Sequence, residues 1–515
     1  MFNQLQQWLD ANPEILFTAF GILVVLAIFP KRRGVGKGKA KAKDKLDTVL
    51  HQWTAADVLT VRQLVQGGIH AFGGTGVGKT SSMNQIAAAI MRLRGSMLIL
   101  CAKPGDREHW LKMAAKCGRT ADVVLFSPDG PHRFNIFGHE YHRIGPGAGQ
   151  VLNVVRSMMK LRNAVLRDDV QMSGDAAMWQ KQDERYLTHN VTLLKFAGED
   201  VTPFNIHRLA ISAPRTEAAF SDKHIKQTYF AECLRKGMQC QKSAADQHDF
   251  DGALDFFGKE FVKMADRTQS SITTGVFGTL SLFSSGLARD MLSSSSTITP
   301  KVAIEQNKIV VVDWNPDEWG DIGRLANGGW KLMWQKDVLR RTVDASTTVS
   351  TIWGDESSLW CTSDDAEFLS RCRSHLGSMV YICQSLHNYR GELPGEKADS
   401  HLRAMLSNFS NRLFFALGDF ETAEYAAELV GKELRAFVGG GVEAQPFEFK
   451  WGRDPYKTSS SFNQSYEYVL QPSEFMNGHR TGSAANDFQV DAFLVRSTPL
   501  SNGLPVIQVT FDQRR

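Results

Sequence analysis

The chain has 515 residues, of which 43% are hydrophobic and 22% charged. This composition is typical of a folded protein with a sizeable core and excludes a largely disordered chain. The formal net charge is +4, but residues 31–45 alone carry +7, so the rest of the chain carries −3. The body of the protein is therefore not a generally basic nucleic-acid binder, and any contact with DNA must come from local loops or an assembled ring.

The first predicted element is a short apolar helix near the N-terminus. Residues 13–29 have the sequence PEILFTAFGILVVLAIF, in which Glu14 alone is charged. At about 1.5 Å per residue such a helix spans ~26 Å, which is just enough to cross a bilayer once. Asp10 precedes it, Glu14 lies at its start and basic residues follow it, so the positive-inside rule places residues 1–12 outside the cytoplasm and the bulk inside. We predict a single membrane-spanning helix, with a short buried helix as the alternative.

A basic segment follows this helix. Its sequence GVGKGKAKAKDK alternates lysine with small residues. This pattern is typical of a flexible linker that faces anionic lipid, and we assign the linker to residues 30–50. A DNA-binding arm is the alternative.

A phosphate-binding loop comes next in the chain. Residues 68–72 are an apolar run suited to a buried strand, and residues 83–93 show helical periodicity. Between the two lies GGTGVGKT, the pattern of a P-loop in the strand–turn–helix context that the motif requires. The predicted nucleotide-binding residues are Gly73, Gly74, Thr75, Gly76, Val77, Gly78, Lys79, Thr80 and Ser81.

The residue types of this loop fit the chemistry of a nucleoside triphosphate. The glycines let successive backbone N–H groups face the phosphates, and the helix N-terminus adds a favourable dipole. Lys79 can reach the β- and γ-phosphates, and the Thr80 hydroxyl can bind Mg²⁺. We therefore predict a P-loop nucleoside triphosphatase that uses ATP and Mg²⁺.

Two acidic positions compete for the other half of the site. The run IVVVD ends at Asp313, whereas TIWGDE ends at the adjacent Asp355 and Glu356. Hydrolysis uses one carboxylate near the Mg²⁺ ion and another to orient the attacking water. Because only the adjacent pair supplies both, we predict that Asp355 binds the metal shell and Glu356 orients the water. Asp313 is interpreted as a strand-end residue that hydrogen-bonds a turn.

A further strand is predicted at residues 379–383, and it ends before Gln384. A polar side chain at the tip of a strand beside the P-loop can sense the γ-phosphate. Arg371 and Arg373 precede that strand, and in an oligomer either arginine can reach into a neighbour's site and stabilise transition-state charge. Their spacing alone also fits a solvated surface.

Residues from about 150 to 265 show helical periodicity and no long strand-like run. They predict a helical domain inserted into the nucleotide-binding domain, and a structural cap without partner-specific contacts is one interpretation of it. Near the C-terminus, residues 439–441 (GGG) and 458–462 (TSSSF) predict loops.

In this order the motifs resemble the type IV coupling proteins of bacterial conjugation and type IV secretion, the TraD/TraG group. The similar segments are KPG at 103–105, FNI at 134–136, the strand and long helix at 309–341, WGDESSLW at 353–360, RCRSHLGSMVYICQS at 371–385, NRLFFALGDFETAEYAAELVGK at 411–432 and the last strands at 491–511. Most members of the group have two membrane helices, and this sequence predicts one.

The resemblance implies an α/β fold of the RecA-like P-loop NTPase type. Its nucleotide-binding domain would comprise residues 51–150 and 266–515, with the all-α domain at 151–265 inserted between them. By the same resemblance, the all-α domain would face the cytoplasm and receive substrate. The roles implied for the matching residues are phosphate binding by Lys79, metal binding by Thr80 and Asp355, water activation by Glu356 and γ-phosphate sensing by Gln384. Arg373 has the position of the group's arginine finger and is preferred to Arg371.

The resemblance also implies the function of a coupling ATPase. The chain would be a homohexamer in the bacterial inner membrane, with its N-terminus in the periplasm, that recruits relaxase and relaxosome proteins and pumps single-stranded DNA into a type IV secretion channel. Two alternatives remain: a duplex DNA pump similar to FtsK or HerA, and a nucleotide-gated receptor for secreted proteins that does not pump DNA.

Overall fold

A nine-stranded β-sheet forms the centre of the fold in the computed structural model, which describes residues 44–166, 174–221, 226–284, 286–393, 398–444 and 456–514. The strands are β1 (Val49–Gln52), β2 (Val58–Thr60), β3 (Ile69–Phe72), β4 (Ser96–Leu100), β5 (Val123–Phe126), β6 (Ile309–Val312), β7 (Ser350–Gly354), β8 (Gly377–Cys383), β9 (Asn411–Phe414), β10 (Lys432–Ala444), β11 (Tyr456–Tyr468), β12 (Gln489–Arg496) and β13 (Val506–Asp512). The central sheet has the order β13-β12-β9-β3-β8-β7-β4-β6-β5.

The strands from β9 to β5 in that order are parallel, and β12 and β13 extend the sheet in antiparallel fashion. Every residue of β3, β4, β6, β7, β8 and β9 is buried, as expected for strands covered on both faces. An α/β fold with a large central parallel sheet is therefore confirmed. Because parallel strands end at one edge, the residues after β3, β7 and β8 meet there.

Helices cover the sheet and fill the chain between β5 and β6. They are α1 (Val61–Val65), α2 (Lys79–Arg92), α3 (Asp106–Lys116), α4 (Ile136–His142), α5 (Val151–Leu166), α6 (Gly174–Ala197), α7 (Pro203–Ser212), α8 (Glu217–Ser221), α9 (Tyr229–Gln239), α10 (Ala244–Asp255), α11 (Asp266–Ser284), α12 (Gly286–Leu292), α13 (Pro300–Glu305), α14 (Pro316–Arg340), α15 (Asp364–Arg371), α16 (Leu386–Glu392), α17 (Ala398–Asn408), α18 (Phe420–Val430) and α19 (Pro472–Met476). The all-α insertion predicted at 151–265 falls within this helical stretch. Residues 48–515 group as one compact unit, so the predicted domain boundaries stay predictions.

The predicted membrane helix at 13–29 and the segment at 1–12 lie outside the described residues, as does most of the linker at 30–50. The described end of the linker contains a short 3₁₀ turn at Lys45–Asp47 and the start of β1. Within the described ranges, none of the helices has the length and apolar character needed to span a bilayer. The membrane anchor stays a prediction.

A buried ion pair joins α14 to the start of α15. Lys331 Nζ lies 2.7 Å from Asp365 Oδ1 and 3.1 Å from the Tyr381 hydroxyl, and it also donates to the backbone carbonyl of Trp360. The Gln335 amide donates to the same carboxylate over 2.7 Å. The side chains of Lys331 and Asp365 are almost completely shielded from water. The pair therefore fixes the segment that follows Asp355 and Glu356 against the long helix.

Replacing Lys331 with methionine is expected to lower the free energy of unfolding by about 3–5 kcal/mol, because Asp365 would remain buried without its counter-charge. The measurement is the urea midpoint of the tryptophan fluorescence transition. Lys301→Met, at a half-exposed position in α13, is the control and should leave the midpoint nearly unchanged. Equal midpoints for the two variants would contradict this role of the ion pair.

Candidate nucleotide-binding site

The P-loop connects the end of β3 to the first turn of α2. Gly76 and Gly78 have φ angles of 74° and 85°, in the left-handed region that glycine tolerates best. A Cβ atom at Gly78 would also lie 2.7 Å from the Val490 side chain. The glycines thus permit both the turn and its close packing against β12, and they leave backbone N–H groups at the N-terminus of α2 for an anion.

Lys79 is held against the loop by its own backbone. Its Nζ donates to the carbonyl oxygen of Gly74 over 2.6 Å and also to that of Gly73. Burial lowers the pKa of Lys79, and the carboxylates of Glu356 and Asp355 oppose that shift. The ammonium therefore lies at the phosphate-binding loop and within electrostatic reach of the two acidic side chains, where it can bind the β- and γ-phosphates of a nucleotide.

Thr80 and Asp355 meet across the edge of the sheet. The Thr80 hydroxyl donates to Asp355 Oδ2 over 3.0 Å, although the two residues are 275 positions apart in the chain. The Trp360 indole N–H donates a hydrogen bond of 3.0 Å to the backbone carbonyl of Asp355. A hydroxyl and a carboxylate are oxygen ligands of the kind that Mg²⁺ takes together with nucleotide phosphates. The donor set therefore fits the predicted ion, although the described residues contain no cluster of three or more His, Cys, Asp or Glu side chains that could hold a metal by itself.

Glu356 and Gln384 lie on the same side of the loop. The Gln384 amide nitrogen is 3.4 and 3.5 Å from the two carboxylate oxygens of Glu356, and its amide oxygen accepts from the Thr75 hydroxyl over 3.3 Å. Glu356 has φ 45° and ψ 49°, a left-handed conformation that costs a non-glycine residue roughly 1–2 kcal/mol. The turn directs the carboxylate toward the tip of β8, where a water could lie between Glu356 and a γ-phosphate.

The competing acid, Asp313, has a different environment. It follows β6, which is separated from β7 by β4, and its carboxylate lies 3.5 Å from the Arg107 guanidinium. Burial raises the pKa of Asp313, and Arg107 partly offsets that shift. The structure thus places Asp355, rather than Asp313, beside the P-loop threonine.

The two candidate arginines precede β8, whereas Gln384 follows that strand. Arg373 is exposed in the 3₁₀ turn Cys372–His375 before β8, at the edge of the sheet opposite to Gln384. Arg371 is exposed and paired with Glu367. A role for Arg373 in the site of a neighbouring subunit stays a prediction.

Sequence reasoning missed the contribution of the C-terminus to this site. The Gln513 amide donates to the Ser81 hydroxyl over 2.6 Å, and the Gln85 amide donates to the carbonyl of Asp512 over 2.7 Å. These contacts fasten the end of β13 to the first two turns of the P-loop helix. No local motif marks Gln513, because its partner is more than 400 residues away in the chain.

Replacing Thr80 with alanine is expected to raise the Mg²⁺ concentration that gives half-maximal ATP hydrolysis by roughly tenfold or more, because a ligand and the partner of Asp355 are lost together. The measurement is a Mg²⁺ titration at fixed ATP. Thr80→Ser keeps the hydroxyl and should titrate like the wild type. An unchanged midpoint in the alanine variant would place the metal elsewhere.

The comparisons with known proteins connect this site to a family. Residues 352–477 match the family model described as the TraM recognition site of TraD and TraG. The resemblance to the TraD/TraG group is thereby confirmed. The matched region begins in β7, contains Asp355, Glu356 and Gln384, and ends after α19. No curated protein matches the sequence significantly.

Solved structures of a bacterial conjugative coupling protein share the fold. TrwBdeltaN70, described as a bacterial conjugative coupling protein, aligns with a TM-score of 0.59 and 14% identity over 92% of this chain and 90% of that chain. TrwB in complex with a non-hydrolysable ATP analogue aligns with a TM-score of 0.58 and 15% identity over 92% of this chain and 91% of that chain. TrwB in complex with ADP and Mg²⁺ aligns with a TM-score of 0.58 and 14% identity over 92% of this chain and 90% of that chain. At 14–15% sequence identity, this structural similarity establishes the fold alone.

Proposed function

We propose that this chain is a membrane-anchored ATPase that recruits a relaxase–DNA complex and pumps single-stranded DNA into a type IV secretion channel. The observation that carries the proposal is the Thr80–Asp355 hydrogen bond, which unites the P-loop with the acidic pair in a chain of the TraD/TraG group. TrwB, which has this fold, is described with bound ADP and Mg²⁺ and with an ATP analogue, and this supports ATP and Mg²⁺ as the ligands here.

The residues of the site divide the work of hydrolysis. The P-loop amides and Lys79 bind the phosphates. Thr80 and Asp355 would hold Mg²⁺, which would neutralise the charge that develops on the phosphates. Glu356 accepts a proton from the attacking water and orients it, and Gln384 reports the state of the γ-phosphate to β8. Water attacks the γ-phosphorus, and the bond between that phosphorus and the oxygen that bridges it to the β-phosphate breaks. ADP is the leaving group, and inorganic phosphate is the other product.

The proposed assembly is a homohexamer in the bacterial inner membrane, anchored by residues 13–29. In such a ring, Arg373 of one subunit would approach the nucleotide of the next and stabilise transition-state charge. The −3 charge of the chain outside residues 31–45 argues against broad binding of duplex DNA by the body. A single strand gripped by local cations and stacking would bind without sequence preference and weaken steeply with salt.

The test is ATP hydrolysis by the full chain in detergent without DNA, with single-stranded DNA and with duplex DNA of equal length. The proposal predicts turnover that single strands stimulate most and that falls as salt releases the DNA. Stimulation by duplex alone would favour a pump similar to FtsK or HerA. Turnover that ignores DNA while the chain binds secreted proteins would favour the nucleotide-gated receptor, and either result would contradict the proposal.

A further inference from the structure

A chain of buried hydrogen bonds joins the strand before the P-loop to the turn that carries Glu356. His70 lies in β3, Tyr389 lies in α16, and Ser357 directly follows Glu356; all three side chains are fully buried. The Tyr389 hydroxyl is 2.7 Å from His70 Nε2 and 2.5 Å from Ser357 Oγ. Ser357 Oγ donates in turn to the backbone carbonyl of Ile382 in β8 over 3.0 Å. This series of hydrogen bonds therefore ends at Ile382, two residues before Gln384.

The number of available protons fixes the direction of these bonds. The Ile382 carbonyl can only accept, so the single Ser357 proton is directed to it. Tyr389 must then donate to Ser357 and accept from His70 Nε2–H. Burial lowers the pKa of His70 to about 3, with a further contribution from Arg412, so the ring is neutral and has one N–H. Its Nδ1 has no hydrogen-bond partner among the described residues, and in this tautomer it is a bare acceptor.

We propose that His70, Tyr389 and Ser357 are positioning residues that hold Glu356 in the geometry needed for ATP hydrolysis. The inference rests on the proposed function, because it takes Glu356 as the residue that orients the attacking water. The left-handed backbone of Glu356 persists only if its surroundings determine it. Ser357 supplies that constraint from the next position, since it is tied to β8, which leads to Gln384, and through Tyr389 to β3, which leads to the P-loop.

Asp355 is fixed by separate contacts. Its carboxylate accepts from the Thr80 hydroxyl and, over 2.9 Å, from the backbone N–H of Glu356, and its carbonyl accepts from the Trp360 indole; none of these contacts passes through Tyr389. Loss of the Tyr389 hydroxyl should therefore loosen Glu356 while the metal-binding side of the site stays in place. A selective fall in turnover, with nucleotide affinity preserved, is the signature of such a role.

Tyr389→Phe in the full chain tests this inference, because it removes one hydroxyl and keeps the ring. We expect kcat to fall roughly 10- to 100-fold, the cost of a small misplacement of a catalytic group, while the Kd for Mg²⁺–ATP stays within about twofold. Tyr186→Phe is the matched control. It removes another fully buried hydroxyl, 3.3 Å from the Ala210 carbonyl in the helical region, and should leave kcat unchanged. Ser357→Ala should reproduce the kcat loss if Tyr389→Phe does not fold.

Glu356→Gln provides the readout that a general structural effect would not give. In that background Tyr389→Phe should not change the residual single-turnover rate, because the carboxylate on which it acts is gone. Wild-type kcat in Tyr389→Phe, or an equal loss with and without Glu356, would overturn the positioning role while leaving the ATPase intact. A wild-type chain without ATP turnover would overturn the proposed function and this inference together.

Discussion

Replacing Lys79 with alanine is expected to reduce ATP turnover by at least about 10³-fold, because no other cation in the described P-loop lies where the β- and γ-phosphates would bind. The loss of preorganised charge that stabilises a developing anion is among the largest single effects in catalysis. The measurement is phosphate release at saturating ATP, with DNA present. The fold should survive, because among the described residues the Lys79 ammonium hydrogen-bonds only to carbonyls of its own loop.

Lys116→Ala is the control for this substitution. Lys116 is exposed in the last turn of α3, at the end of that helix remote from the P-loop, and its removal should leave turnover unchanged. Substantial turnover in Lys79→Ala with unaltered thermal unfolding would contradict the assignment of the P-loop as the site of hydrolysis.

Glu356→Gln is expected to lower kcat by roughly 10²–10⁴-fold, the usual contribution of a general base, and to leave the affinity for Mg²⁺–ATP largely intact. The amide keeps the shape and the contact with Gln384 but cannot accept a proton from water. Phosphate release and the binding of a fluorescent ATP analogue separate these two quantities. The variant should accumulate with ATP bound.

Asp313→Asn is the matched comparison for Glu356→Gln, because it makes the same kind of change at the rival acid. Asp313 faces Arg107 rather than the P-loop threonine, so we expect turnover within about twofold of the wild type. If the Asp313 variant lost activity and the Glu356 variant kept it, the assignment of the acidic pair would be wrong.

The sequence was sufficient to predict the α/β fold and the groups that now lie at one edge of the sheet. Short apolar runs indicated buried parallel strands, and the residues after such strands share an edge whatever the intervening chain contains. The positions of Thr80, Asp355, Glu356 and Gln384 follow from that rule. The separation of Asp313 from the site does not follow from that rule. It depends on the order of the strands in the sheet, which no local sequence pattern encodes.

Contacts between distant parts of the chain were beyond sequence reasoning. His70 and Tyr389 are 319 positions apart, and their pairing follows only once β3 lies beside β8. The prediction of loops at residues 439–441 and 458–462 was wrong. Gly439–Gly441 pair with Ser461–Ser459 in an antiparallel ribbon formed by β10 and β11, although glycine disfavours strands. The cross-strand pairing overrides that local preference.

Movement of DNA by this chain is tested most directly by ATP-dependent displacement of streptavidin from biotinylated single strands. The full chain in detergent is mixed with oligonucleotides that carry biotin at one end or the other, and Lys79→Ala serves as the inactive control. We expect displacement from one of the two ends, dependent on ATP and Mg²⁺ and absent in the control. ATP turnover without displacement from either end would contradict the proposal that hydrolysis drives single-stranded DNA.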